Sequence, residues 1–352
     1  MLVIQVLVVD DSAFMRKLIS DFIAQAPDME VSATARNGED ALKKAADTQF
    51  DVMTLDVEMP VMDGFETLQQ VMTKQPLPVV MLSSTTLEGT HHTIRALEYG
   101  AVDVVAKPSG SISLDLAKVK DELIHKIRAA SVSRISKKTA KPEVVPPPAP
   151  KPESLGSAQP SFVTISTSTG GPRALQTVLK GLPGSLEAPI VIVQHMPPRF
   201  TKSLAERLDT LTELTVKEAE DGEPAQKGTA YIVPGDRHIT FTEQGGNVIL
   251  KLTKDAPVGG HRPSADYMLE GASLLTSYQH TSVVMTGMGY DGSRGLQKLK
   301  ERCKCYVIAE HPSTAVVYGM PKAAVERVGA DEQLPVEHIA ASIVQAVSQS
   351  RH

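Results

Sequence analysis

Short apolar runs recur about every 25 residues through the first third of the chain: Val3–Val9, Val31–Ala35, Val52–Leu55, Val79–Leu82 and Val102–Ala106. They are rich in Val, Leu and Ile and scarcely alternate with polar residues, the pattern of parallel strands covered on both faces. Helical periodicity fills the gaps, as at Phe14–Ala26 and Leu114–Ala130. Strand and helix alternating five times predict a doubly wound five-stranded α/β sheet.

The same rhythm returns after residue 160. Phe162–Ser166, Ile190–Gln194 and Val283–Thr286 read as buried strands, and a helix is expected from Pro172, since proline suits a first helical turn. Tyr231–Val233, Ile239–Thr242 and Val248–Leu252, with a turn at Gly245-Gly246, predict a β-rich insertion containing a hairpin. The second half is therefore expected to be a Rossmann-like α/β unit with a mostly parallel sheet.

Between the halves the composition changes. Residues 141–152 are half proline with little large apolar side chain, which cannot bury a core and predicts an extended spacer. The expected division is 1–128, a linker over 129–160, and 161–350. At 352 residues, 41% hydrophobic and 22% charged, the chain is of ordinary globular composition, long enough for about two domains. No run approaches a membrane span, and Met1–Val9 runs straight into Asp10-Asp11 without a basic start, so it reads as a strand. A net charge of -5 gives no electrostatic case for nucleic acid. Cys303 and Cys305, one residue apart in an expected strand, point to opposite faces and are expected to remain free thiols. The cytoplasm is the expected compartment.

Candidate chemistry sits where the strands end. In the first half these ends carry Asp10-Asp11, Asp56, Ser83-Ser84 and Lys107-Pro108. Ligands of an open α/β sheet bind at the carboxyl ends of its strands, so three acids, a hydroxyl and an ammonium should share one crevice. Clustered acids call for a hard cation, and Mg²⁺ fits. Asp56 could then attack a phosphoryl group, with Lys107 balancing its charge and Ser83 bonding a phosphate oxygen. A lone aspartate at a strand end is ordinarily a turn residue; the joint pattern is far more specific. With Leu55-Asp-Val-Glu-Met-Pro60 and Met62-Asp-Gly64, residues 1–128 resemble the receiver domain of bacterial response regulators. The resemblance implies Asp56 as phosphoacceptor, Asp10, Asp11 and Asp56 as the Mg²⁺ site, and Ser83 and Lys107 as switch residues. The Lys107-Pro108 bond is a candidate for the cis form. Val104 stands where many receivers carry an aromatic switch residue.

In the second half Ser168, His195 and Asp291 fall at strand ends, Ser168 inside Thr167-Ser-Thr-Gly-Gly171 and Asp291 inside Gly287-Met-Gly-Tyr-Asp-Gly292. A serine needs a base to take its proton, and an acid can orient that base. By spacing alone the glycine-rich loop equally fits phosphate binding, Ser166, Thr167 and Thr169 are rival hydroxyls, and His195 fits a structural histidine. The segments Ser168–Gly171, Gln194–Pro198, Tyr231–His238, His261–Ser264 and Thr286–Gly289 with Asp291-Gly292 resemble, in that order, the catalytic domain of the chemotaxis protein-glutamate methylesterases, the CheB family.

That resemblance implies Ser168 as nucleophile, His195 as general base and acid, Asp291 as its orienting carboxylate, and backbone of Thr169, Gly170 and Met288 at the oxyanion. It implies hydrolysis of glutamate methyl esters and deamidation of glutamines, with no cofactor for the esterase. Its implied partners are a chemotaxis histidine kinase and methylated chemoreceptor cytoplasmic helices, with peripheral association with receptor arrays and no membrane insertion. Ser166-Thr167 replaces the family's Gly-Ala before the serine, and Tyr290 a smaller polar residue; a β-branched residue restricts the turn that presents Ser168. Arg262 fits substrate contact or a structural ion pair equally. The rival reading is a regulator whose second domain only binds a partner.

Overall fold

The computed structural model describes residues 3–84, 86–108, 113–133 and 159–349. The chain divides into two compact units, Met1–Lys138 and Thr139–His352. Most of the expected linker lies outside the described residues.

The first unit runs β1 (Ile4–Val9), α1 (Ala13–Ile23), β2 (Met29–Ala35), α2 (Gly38–Asp47), β3 (Val52–Asp56), α3 (Gly64–Lys74), β4 (Val79–Ser83), α4 (Leu87–Glu98), β5 (Asp103–Ala106) and α5 (Ser113–Ser131). All strands are parallel, in the order β2-β1-β3-β4-β5. β3 and β4 are buried at every position, which is why their sequences do not alternate. The helices start on short polar caps: Ser12, Asn37 and Asp63 each accept an amide of their own first turn. α5 continues to Ser131, past the boundary expected at 128. The Lys107-Pro108 bond is trans; the cis bond among the described residues is Arg262-Pro263.

Lys126 of α5 ties that helix to the sheet. It is 5% exposed and lies 3.0 Å from Asp103 Oδ1 and 2.8 Å from Glu122 Oε1, and it also donates to the Val104 carbonyl. Burial alone would favour the neutral amine; the two carboxylates more than offset this and raise its pKa above the ordinary lysine value. The anchored strand is the one that ends in Lys107.

The second unit runs β6 (Ser161–Thr167), α6 (Gly171–Lys180), β7 (Ile190–Gln194), α7 (Phe200–Asp209), β8 (Thr215–Glu218), β9 (Thr229–Ile232), β10 (His238–Gln244), β11 (Asn247–Thr253), α8 (Ala265–Ala272), β12 (Gln279–Val284), α9 (Ser293–Arg302), β13 (Cys305–Glu310), α10 (Met320–Val328), β14 (Glu332–Leu334) and α11 (Val336–Gln349). Seven parallel strands stand in the order β14-β13-β12-β6-β7-β9-β8, and β10 and β11 pair as a separate antiparallel hairpin. The insertion is thus smaller than expected: Tyr231 belongs to β9, a member of the main sheet, and only β10 and β11 stand apart. The hairpin presents Ile239, Phe241, Val248 and Leu250 to the core, where Phe241 packs edge-on against Phe162 with ring centroids 5.0 Å apart.

β12 begins earlier than its apolar run. Two of its polar residues are buried with partners: Ser282 Oγ lies 2.8 Å from Thr164 Oγ1 and His280 Nε2 lies 3.0 Å from the Leu275 carbonyl. β8 and β14 are short sheet edges with no apolar signature. Cys303 caps the end of α9 and Cys305 opens β13, so they do not share a strand as expected. Both are free; burial raises both thiols, Cys305 to about 12, which keeps them protonated.

Replacing Lys126 with Met strands Asp103 in the interior. The midpoint of the receiver-like unit in a denaturant titration of the full chain should fall by the equivalent of about 3 kcal/mol. The double replacement Lys126→Met/Asp103→Asn should recover part of that loss.

Candidate active site

β6 and β7 pair in register Thr167↔Gln194, and the ladder extends one step further through the His195 amide to the Thr167 carbonyl at 3.3 Å. Ser168 and His195 therefore leave adjacent strands side by side. On the other flank of β6, the loop after β12 supplies Thr286–Asp291. Chain connections run in opposite directions on the two sides of β6, so the three residues meet at a topological switch point of the sheet.

Thr286 binds the serine loop to this flank. Its carbonyl accepts the Ser168 amide at 3.0 Å and the Thr167 hydroxyl at 2.9 Å, while its own hydroxyl donates to the Thr169 carbonyl at 2.9 Å. Thr167 is accordingly accommodated. It is the last residue of β6, where extended backbone suits a β-branched residue, and the turn begins only at Ser168. Ser166 and Thr167 lie in the strand, and Thr167's hydroxyl is committed to Thr286; Ser168 is the first hydroxyl beyond the strand end. Gly287 touches it: a Cβ there would lie 2.9 Å from Ser168 Cβ and 2.3 Å from Met320 Sδ. Gln194 Nε2 steadies the loop by donating to the Ser168 carbonyl at 2.9 Å. The Gly170 and Met288 amides donate to no acceptor among the described residues.

His195 Nε2 lies 2.8 Å from Asp291 Oδ2, and its Nδ1 is buried with no partner. Asp291 is 6% exposed yet surrounded by donors. Its Oδ1 accepts Ser264 Oγ at 2.8 Å, the Asp266 amide at 3.0 Å and the Gly292 amide at 3.1 Å, and its Oδ2 accepts the Ala265 amide at 2.7 Å. The Ala265 and Asp266 amides are the first of α8, so the carboxylate sits on a helix N-terminus. Burial pushes its pKa up; the hydrogen bond and charge of His195 and the two α8 amides overcome that and hold it well below the usual carboxylate range. The capping is reciprocal: Asp266, in α8, accepts the Arg294 and Gly295 amides of α9 at 2.9 and 2.8 Å.

Several residues here carried no sequence signal of their own. Ser264 and Gln194 lie within family-like segments but had no assigned role; Thr286, Asp266 and Glu310 are ordinary residues until the fold assembles them. Arg262 makes a structural ion pair: it bonds Asp236 Oδ1 at 2.9 Å through Nε and donates to the Lys254 and Asp255 carbonyls. Tyr290 is 59% exposed beside Asp291, with the Arg294 guanidinium 5.7 Å from its ring centroid.

The second candidate site lies at the strand ends of the first unit. Lys107 Nζ lies 2.9 Å from Asp10 Oδ2 and 2.7 Å from Asp56 Oδ2. Carboxylate oxygens of Asp10, Asp11 and Asp56 lie within 4.8 Å of one another. Burial and the charge of Asp10 push Asp56 up to about 6 against the pull of Lys107. An all-oxygen set with one carboxyl held this high suits a hard divalent cation, which would restore the anion. Ser83 is buried, and its hydroxyl donates at 3.1 Å to the Ser84 and Gly89 carbonyls. Val104 is fully buried, so no exposed aromatic rotamer is available at that position.

Residues 163–343 match the model of the CheB methylesterase family, and residues 6–117 that of the response regulator receiver domain. A protein-glutamate methylesterase/protein-glutamine glutaminase of Geobacillus kaustophilus is 54% identical over 346 residues, covering 98% of this chain and 99% of that protein. The protein of the same name from Bacillus subtilis is 48% identical over 356 residues, covering 99% of both. Among solved structures, the Thermotoga maritima CheB methylesterase catalytic domain matches with a TM-score of 0.51 and 45% identity, over 54% of this chain and 99% of that one.

Glu310 yields a test of how the site is held. It is 1% exposed, accepts the Thr286 amide at 2.8 Å and the Thr314 hydroxyl at 3.0 Å, and burial, with some help from Glu337, raises it to about 7. The folded state therefore holds this proton more tightly than the unfolded chain, and stability should fall as pH rises from about 4.5 to 7. Glu310→Gln keeps both hydrogen bonds feasible and carries no charge. It should remove a loss on the order of 3 kcal/mol between pH 5 and 8, read from paired denaturant titrations.

Proposed function

Since this chain belongs to the CheB methylesterase family and carries a response regulator receiver domain, we propose that Ser168, His195 and Asp291 carry out its hydrolysis under the control of Asp56. The activity is that of a protein-glutamate methylesterase and protein-glutamine glutaminase in a chemotaxis pathway. The proposed division is a receiver over 1–128, a spacer over 129–160 and a catalytic domain over 161–350. The substrates are methylated glutamates, and glutamines, on the cytoplasmic helices of chemoreceptors. The reaction takes place in the cytoplasm, at receptor arrays reached without membrane insertion; no described helix is long and apolar enough to cross a membrane.

The observation that carries the mechanism is the state of the His195 ring. One nitrogen is committed to Asp291 at 2.8 Å and the other is buried and unpaired, on a residue whose strand lies next to the one that ends at Ser168. Ser168 Oγ attacks the ester carbonyl as His195 Nδ1 takes its proton. Amides of the Thr169–Gly170 turn and of Met288 stabilise the oxyanion. The tetrahedral intermediate collapses as His195 returns the proton to the departing methoxide, and methanol leaves an acyl-enzyme. Water then attacks, again through His195, and releases glutamate and the serine. On a glutamine side chain the same steps release ammonia. Asp291 stays ionised throughout and stabilises the transient imidazolium.

In the receiver, Asp10, Asp11 and Asp56 would hold Mg²⁺, which supplies charge neutralisation at the incoming phosphoryl group. Asp56 accepts that group from a chemotaxis histidine kinase, Lys107 pairs with it, and Ser83 turns from the Gly89 carbonyl to bond it. Phosphorylation acts by shifting the chain toward a population in which the esterase is open to substrate, and adds nothing to the chemistry at Ser168.

Ser168→Ala should reduce methanol release from a methylated chemoreceptor fragment by about a thousandfold or more; activity near the parent level would rule out this nucleophile. In the intact chain, a small-molecule phosphodonor with Mg²⁺ should raise methanol release by about tenfold. Asp56→Ala should retain the basal rate and lose the increase; stimulation that survives Asp56→Ala would remove the switch from this residue.

A further inference from the structure

One aromatic contact at the catalytic site has no part in the mechanism above. The ring of His261 lies flat on the ring of His195, with centroids 4.1 Å apart and planes 4° from parallel. The two residues come from segments far apart in sequence. His261 is delivered by a two-residue turn in which Val258 and His261 exchange both backbone hydrogen bonds, at 3.1 and 3.0 Å. The turn residues are Gly259 and Gly260, both at positive φ, 59° and 85°, as a tight hairpin of this hand requires. The base of the turn is tied down by Arg262, through the Lys254 and Asp255 carbonyls and Asp236. Three residues after His261, Ser264 donates to Asp291. The segment 261–264 therefore reaches the imidazole twice, on its face through His261 and at its edge through Asp291.

The hydrogen bond from His195 Nε2 to Asp291 leaves the ring one freedom. It can roll about the line joining the two residues without lengthening that bond, and any roll re-aims Nδ1. A flat contact on the ring face removes that freedom.

We propose that His261 is a positioning residue for His195, its stacked ring fixing the imidazole plane in which Nδ1 receives the Ser168 proton. The proposal rests on the assignment of Ser168 and His195 to the esterase reaction. It predicts an effect on the proton-transfer steps and none on substrate affinity, because His261 acts through His195 and not on the ester.

The test compares the intact protein with His261→Ala and His261→Phe, measuring methanol release against concentration of a methylated chemoreceptor fragment, with thermal midpoints alongside. A displaced general base is costly, so His261→Ala should lower kcat by about tenfold or more with KM within about twofold. His261→Phe, which returns a flat ring to the same face, should restore kcat to within about threefold of the parent. Thermal midpoints close to the parent in both variants keep this split from being a folding defect. Three results would overturn the proposal. They are an unchanged kcat in His261→Ala, a raised KM with kcat intact, and a His261→Phe as slow as His261→Ala. The underlying assignment fails separately: it would show as an inactive parent, or as a Ser168→Ala that still releases methanol.

Discussion

The catalytic edge of this protein depends on keeping one buried carboxylate ionised. Asp291 is almost out of contact with water, and burial of this kind disfavours the charged form. Four donors from the start of α8 and the adjacent loop, and the imidazole of His195, replace the lost hydration. Two of those donors, the Ala265 and Asp266 amides, belong to α8, so their aim is set by its backbone. The position of α8 is set in turn by Asp266, which caps α9 while Asp291 caps α8. The two helices thus lock each other through a pair of aspartates, and the outer oxygen of one of them is left at the right place to hold a histidine.

Everything else at that edge can be traced outward from this lock. The loop carrying Asp291 begins at Thr286, and Thr286 holds the serine loop through three hydrogen bonds. Glu310 holds Thr286 from behind, with a carboxyl that burial makes unusually willing to keep its proton. Small residues let these loops approach: Gly287 lies against Ser168 where any side chain would displace Ser168 or Met320.

The receiver solves a related electrostatic problem in the opposite way. There, too, acids gather at the carboxyl ends of parallel strands, but the Ser12 amide at the start of α1 reaches only Asp10, and Lys107 bridges Asp10 and Asp56. The result is an under-compensated carboxyl raised to about 6. An over-compensated acid suits a residue that must stay an anion through a reaction cycle. An under-compensated one suits a residue that is itself to be modified. Both sites occupy switch points of doubly wound sheets, where diverging connections open a crevice.

Much of this was legible in the residues alone. The largely apolar runs of β1, β3, β4 and β7 carry their own burial, so the parallel sheets and the strand-end positions of Asp10, Asp56, Ser83, Lys107, Ser168 and His195 followed from period and spacing. The edge strands β8 and β14 and the polar half of β12 did not. Their burial depends on partners such as Thr164 and Ser282, and a residue's partner across a sheet is not written in its neighbours. For the same reason Tyr231 read as part of an insertion until pairing with β7 placed it in the main sheet. The roles of Ser264, Asp266, Thr286 and His261 were equally hidden. A hydroxyl that fixes a carboxylate, or a ring that lies on another ring, is a relation between segments dozens of residues apart. Local sequence determines which elements form and which side chains stand at their ends; only the packing of α8 against α9, and of the Gly259-Gly260 turn over β7, decides which of those side chains meet.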